Sequence, residues 1–233
     1  STDQKNSLLS DMAQAILDHS PSIIEQNKID IENGKRNQLT PALIDRLLLT
    51  HERLTAISKS LITIRDLSDP IGEVMDTFTR PNGLTISKVR VPLGVIGIIY
   101  EARPNVTVDG IALSIKSGNC LVLRGSSSAY QSNLAITNVL KNVMKQHDIN
   151  PEAIQLLEDT SREGVLTFVK LKQHLDLVMP RGGAELIQHV LEHATVPTIE
   201  TGAGVCHVYV DKDANLEKAL SICMNAKTHR PSV

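Results

Sequence analysis

The chain has 233 residues, 41% of them hydrophobic and 21% charged, enough for one large domain or two small ones around a sizeable core. A formal net charge of -2 and a pI near 6.4 argue against a nucleic-acid partner, which would favour a basic face. Aromatics at 2%, with no Trp, argue against a base-stacking platform.

No apolar run approaches the roughly 20 residues of a membrane span. The stretch Val91 to Tyr100 is interrupted by Pro92, Gly94 and Gly97, and Ser1 to Asn6 is polar with no signal-peptide core. The three cysteines, Cys120, Cys206 and Cys223, form no framework, which points to a reducing compartment and a cytoplasmic protein.

Residues 1 to about 70 read as helical. Leu8, Leu9, Met12, Ile16 and Leu17 recur at helical spacing. Thr40-Pro41 combines an N-cap with Pro at the first helical position, and Leu43, Ile44, Leu47, Leu48, Leu54 and Ile57 continue an apolar stripe. Glu73 to Arg80 and Leu84 to Val91 read as strands, with Pro81-Asn82-Gly83 as the hairpin turn between them. Thr85 to Val91 alternates with period two, so one face is expected to be buried.

From residue 91 onward strands and helices alternate. Strands are expected at Val95 to Tyr100, Cys120 to Leu123, Ala153 to Leu157, Leu175 to Met179, Thr198-Ile199 and Val205 to Val210. Helices are expected at Val106 to Ile115, Ala129 to Gln146, Ser161 to about Lys170, Ala184 to His193 and Asn215 to Ala226. Apolar strands alternating with helices imply an α/β fold, a parallel sheet covered on both faces. Ligands of such sheets bind outside the carboxyl ends of the strands.

The loops at those ends carry the polar chemistry. Arg124-Gly125-Ser126-Ser127-Ser128 precedes a helix start, where free N–H groups, hydroxyls and an Arg fork suit a phosphate such as the 2′-phosphate of NADP. An N-cap beside a surface Arg explains the same residues. Pro180-Arg181-Gly182-Gly183 is either a close approach to a ligand or a tight strand-to-helix turn. Glu200-Thr201-Gly202-Ala203-Gly204 contains G-x-G, but His207 takes the third glycine position, so the dinucleotide fingerprint fails. In Tyr100-Glu101-Ala102-Arg103-Pro104-Asn105 the amide suits either an oxyanion or the capping of the next helix. No metal-ligand spacing occurs, and Cys120 and Cys206 sit in apolar strand contexts that suit buried fillers better than nucleophiles.

Several segments together resemble gamma-glutamyl phosphate reductases (glutamate-5-semialdehyde dehydrogenases) of the aldehyde dehydrogenase superfamily. They are Val91 to Thr107, Leu123-Arg124-Gly125-Ser126, Met179 to Gly183, Glu200-Thr201-Gly202 and Asn225 to Val233, with His229 where that family is expected to carry Gln. The resemblance spans essentially the whole chain. It implies an aldehyde-dehydrogenase-like fold: N-terminal helices and an oligomerisation-type hairpin over residues 1–90, and a Rossmann-like NADP-binding domain over 91–233.

The implied reaction is NADPH-dependent reduction of L-glutamate 5-phosphate to L-glutamate 5-semialdehyde and phosphate through a thioacyl-enzyme, the second step of proline biosynthesis. The nucleophilic Cys of that family follows the Arg-Pro-Ser-Val motif, so the resemblance places it, with the catalytic domain, beyond residue 233. Asn105 then matches the oxyanion-hole amide. Arg124, Ser126 and Ser127 match the ribose and 2′-phosphate loop, and Arg181, Gly182 and Gly183 match the turn over the pyrophosphate. Glu200 matches the glutamate that activates water in hydrolytic relatives. Arg103 and Arg230 are assigned to the substrate's carboxylate or phosphate on charge alone. The hairpin implies a homo-oligomer for a complete enzyme. The alternatives are an inactive cofactor-binding fragment of such an enzyme, an aldehyde dehydrogenase using NAD and water, and a helical interaction protein.

Overall fold

A computed structural model of the chain describes residues 1–200 and 206–229. Four helices come first: α1 (Thr2–Asp18), α2 (Ser20–Arg36), α3 (Pro41–Leu47) and α4 (His51–Asp66). Their ends follow sequence cues: the hydroxyls of Ser1, Thr40 and Thr50 accept the N–H groups of Gln4, Leu43 and Arg53. Leu8, Leu9, Met12 and Ile16 of α1 and Leu54 and Leu61 of α4 are fully buried in the same core, as their spacing requires.

The hairpin β1 (Val74–Thr79) and β2 (Thr85–Val89) is antiparallel, and Gly83 at its turn takes a positive φ of 84° that favours glycine. The expectation of one buried face is corrected. Every residue of both strands is exposed, including Val74, Phe78, Ile86 and Val89, because neither strand is packed into a core formed by the described residues. Period two records a face suited to burial and does not say by what.

The main sheet is parallel, with spatial order β5-β4-β3-β6. Its strands are β3 (Val95–Tyr100), β4 (Cys120–Arg124), β5 (Ile154–Leu156) and β6 (Leu177–Arg181). Helices α5 (Pro104–Lys116) and α6 (Tyr130–Gln146) share one core with α1 and α4, and Ile96 and Tyr100 of β3 face into it. Helices α7 (Arg162–Phe168) and α8 (Ala184–His193) cover the other face with Ile99. The chain moves outward from β3 to β5, then returns to β6 on the other side of β3. That reversal opens a crevice at the strands' carboxyl ends.

Two further expectations fail. Residues 206–210 form no strand and are exposed, while Val205 lies outside the described residues; Thr198 contributes only a single bridge to Val178. A strand needs a paired neighbour, and among the described residues none lies beside this segment. The last helix, α9 (Leu216–Thr228), exposes Leu216, Leu220, Ile222 and Met224. Cys120 and Cys206 are exposed rather than buried, and Cys223 is partly exposed. Cys120 begins β4 at the open amino end of the sheet, so its apolar context does not enclose it.

Residue Asp69 ties the start of α1 to the segment before the hairpin. It accepts from Lys5 Nζ at 2.9 Å, Thr2 Oγ1 at 2.9 Å and the Ile71 N–H at 3.0 Å. Burial raises its pKa, but these hydrogen bonds outweigh that and hold the carboxyl at about 2. A depressed carboxylate stabilises the fold above its unfolded pKa, and that stability is lost as pH falls through the folded value. Asp69→Ala is therefore expected to cost about 1–2 kcal/mol at neutral pH in urea unfolding. The gap to the native chain should close as pH falls from about 4 towards 2.

Candidate functional site

The end of β3 leads directly into α5. Pro104 at the first helical position presets φ for the helix. Behind it, the fully buried Tyr100 hydroxyl bonds Thr107 Oγ1 at 2.7 Å, and Thr107 donates to Asn133 Oδ1 of α6 at 3.0 Å. Burial pushes the Tyr100 pKa upward and the Thr107 bond partly opposes it, so the phenol stays neutral. This buried chain pins the N-terminus of α5 against α6 and fixes where its first side chains point.

The side chain of Asn105 does not cap that helix: Arg103 holds the N-cap position and Asn105 is the second helical residue, exposed. Its Nδ2 donates to Asp109 Oδ2 at 3.3 Å, and Asp109 Oδ1 accepts from Ser60 Oγ of α4 at 3.3 Å. Burial raises the Asp109 pKa, with both hydrogen bonds partly offsetting it.

These groups line a cavity of about 780 Å³. Its walls come from α3, α4, the start of α5 and His229 beyond α9, and include Arg46, Arg53, Arg103 and Leu49. Arg53 is pinned to α3: its Nη2 donates to Asp45 Oδ1 at 2.6 Å and its Nη1 to Leu48 O at 2.8 Å and to Asp45 O. Asn105 and Arg103, both expected from the sequence at a site, line this cavity; Arg46, Arg53, Ser60 and Asp109 line it without having been expected there. Asp109 carried a usable signal, since it lies four residues after Asn105 and so on the same helix face. The α3 and α4 residues had none, because their helices read only as an apolar stripe. Arg230 lies outside the described residues.

The second expected loop follows β4. Arg124 is buried rather than on the surface, and its Nη2 donates to the carbonyls of Thr160 and Ser161 at 2.6 and 2.7 Å. Its Nε has no partner among the described residues. Burial lowers the guanidinium pKa and Asp159 opposes that. Gly125 is required by space: a Cβ there would lie 3.3 Å from the Tyr100 ring and closer still to the Asn133 amide. Ser126 Oγ and Ser128 Oγ lie 2.8 Å apart, and Ser127 is exposed.

The third loop follows β6. Arg181 is exposed, and Gly183 occupies the N-cap of α8. The Gly183 N–H donates to Glu101 Oε2 at 2.9 Å, and the Glu101 N–H donates to Arg181 O at 3.3 Å. A carboxylate thus already sits where an anionic ligand would meet the helix N-terminus. A Cβ on Gly182 would approach Glu101 Cδ to 2.8 Å. Glu200 is exposed just beyond the Thr198 bridge, and Gly202 and Gly204 lie outside the described residues. Among the described residues no cluster of side chains could hold a metal, and no helix is long and apolar enough to cross a membrane.

This parallel sheet, with its loops gathered at the carboxyl ends of the strands, belongs to a defined class. The pattern of the aldehyde dehydrogenase family matches residues 1–230, and the chain belongs to that family. It is 51% identical over 233 residues to the gamma-glutamyl phosphate reductase of Anoxybacillus flavithermus and 52% identical to that of Halalkalibacterium halodurans. In each case all of this chain aligns with 56% of the relative. The crystal structure of the Thermotoga maritima gamma-glutamyl phosphate reductase superposes with a TM-score of 0.90 at 43% identity, covering 100% of this chain and 56% of that one. The Saccharomyces cerevisiae gamma-glutamyl phosphate reductase superposes with a TM-score of 0.79 at 29% identity, covering 98% and 58%. The chain therefore spans a little over half the length of the relatives it matches.

Proposed function

We propose that this chain forms the cofactor-binding part and one wall of the substrate cavity of an NADPH-dependent reductase. The reaction is reduction of L-glutamyl 5-phosphate to L-glutamate 5-semialdehyde with release of phosphate, the second step of proline biosynthesis. One observation carries the reading. A single cavity joins Arg103 and Asn105, from the Tyr-Glu-Ala-Arg-Pro-Asn segment, to His229, from the Lys-Thr-His-Arg-Pro-Ser-Val segment. These are the two segments most specific to the reductases.

The chemistry suits those groups. Attack of a thiolate on an acyl phosphate puts negative charge on the carbonyl oxygen before phosphate leaves. Asn105, on a rigid helix end, has an amide N–H to offer that oxygen. Arg46, Arg53 and Arg103 supply positive charge for the substrate's anionic ends. None of Cys120, Cys206 and Cys223 lines the cavity, so none of them is assigned as the nucleophile. A reduction needs no attacking water, so Glu200 is assigned no part in it.

The strand ends fit a dinucleotide. A pyrophosphate at Arg181, Gly182 and Gly183 would take the place of the Glu101 carboxylate that the Gly183 N–H now meets at the α8 N-terminus. Arg124, Ser126 and Ser127 would hold the ribose and its 2′-phosphate. The bound nicotinamide supplies the hydride. The exposed faces of β1 and β2 suit coverage by a second copy.

The full-length enzyme should release one phosphate from L-glutamyl 5-phosphate per NADPH oxidised. Aldehyde oxidation with NAD and water, without phosphate turnover, would instead support a hydrolytic dehydrogenase. Arg124→Ala should weaken NADPH binding more than NADH binding by roughly 1–3 kcal/mol. Equal losses for both would remove its role at the 2′-phosphate.

A further inference from the structure

The cavity's charges are unevenly satisfied. Asp45 is engaged by Arg53 at 2.6 Å. Asp109, half-buried in the same cavity, has only neutral partners among the described residues. Each of its oxygens accepts one hydrogen bond at 3.3 Å, from Ser60 or from Asn105. A carboxylate accepts about four hydrogen bonds, so Asp109 retains capacity on both oxygens. Removing such a group from water is costly unless a charged partner meets it. Its raised pKa has that origin.

The spacing adds a second constraint. Asn105 Nδ2 and Asp109 Oδ2 lie 3.3 Å apart on one face of α5, so hydrogen bonds of about 2.9 Å to each can hold two ligand groups a few ångströms apart. In a glutamyl acyl phosphate the reacting carbonyl carbon and the carbon bearing the amino group are three C–C bonds apart, roughly 4 Å. A substrate laid along α5 with its carbonyl at Asn105 therefore brings its amino group to Asp109. An ammonium has three donors and no acceptor, matching a carboxylate with spare lone pairs.

We propose that Asp109 receives the substrate's α-ammonium group, so that the cavity selects an amino-acid acyl phosphate over a plain dicarboxylic one. This rests on the cavity being the substrate site. The arginines lining the same walls then meet the anionic ends, and the single carboxylate free of a described cation meets the single cationic group.

The test is calorimetric titration of the full-length protein with L-glutamate and with glutarate, which lacks the amino group. Neither ligand reacts, so the role of Asn105 in turnover does not enter. The native protein should bind L-glutamate roughly tenfold more tightly than glutarate. Asp109→Asn keeps the side-chain shape; it should lose most of that preference, the ratio of L-glutamate to glutarate affinity falling towards one. Equal affinity of the native protein for both ligands would overturn the ammonium role and leave the substrate cavity standing; that comparison needs no variant to fold. An equal loss of both ligands in a folded Asp109→Asn protein would overturn it too. If neither ligand binds the native protein, the cavity is not the substrate site and the proposal falls with it.

Discussion

Replacing Asn105 by Ala in the full-length enzyme is expected to lower the turnover of L-glutamyl 5-phosphate by about 10²–10³-fold, the usual cost of removing one oxyanion donor. The loss should fall mainly on kcat, because the oxyanion exists only in the transition state. Folding should be little affected. The Asn105 side chain is exposed, and the N-terminus of α5 is held instead by Pro104 and by the Tyr100–Thr107–Asn133 chain behind it. Stability is therefore expected to change by only about 0.5 kcal/mol. Steady-state kinetics beside a thermal melt separates the two effects. A fall of less than about threefold in kcat, in a protein that melts normally, would remove Asn105 from the oxyanion site.

The second large effect is on the sheet. Gly97 sits in the middle of β3, which is paired on both sides. A Cβ at that position would lie 2.7 Å from Cζ and 2.9 Å from Cε1 of Phe168. Phe168 is buried among Val165, Val169, Leu175 and Val178, so the ring has little room to retreat. Gly97→Ala is expected to cost about 1–3 kcal/mol through overpacking. In a Phe168→Leu background the same change should cost less, because the smaller side chain leaves space for the methyl. Denaturant unfolding of the native protein, the two single variants and the double variant gives that coupling directly. Strict additivity would show that Phe168 is not what excludes the methyl.

The elements that could be read from the sequence are those whose pattern is local. Ser161 and Thr40 cap the helices they precede, the last helix begins one residue after the expected start at Asn215, and Val95–Tyr100 is a strand with the expected bounds. The expectations that failed depended on neighbours. The alternation of Thr85 to Val91 could not say that no described residue covers a face of the hairpin, and the apolar run at 206–210 has no strand beside it among the described residues. The same division holds at the site. Asn105 and Arg103 were marked by a compact motif, while Arg46, Arg53 and Ser60 join the cavity only because α3 and α4 pack beside the start of α5. Of the two readings of Arg124, the surface residue beside an N-cap fails: the fold buries it against the carbonyls of Thr160 and Ser161, far along the chain.

The most direct measurement is hydrogen exchange on the full-length protein with and without L-glutamate. If the cavity between α3, α4 and α5 holds the substrate, the ligand should slow exchange in peptides covering residues 41–60 and 103–109. Peptides over the β4–α6 loop and the start of α8, where the dinucleotide is assigned, should not respond. Protection confined to those cofactor loops, or protection nowhere despite saturating ligand, would contradict the placement of the substrate beside Asn105.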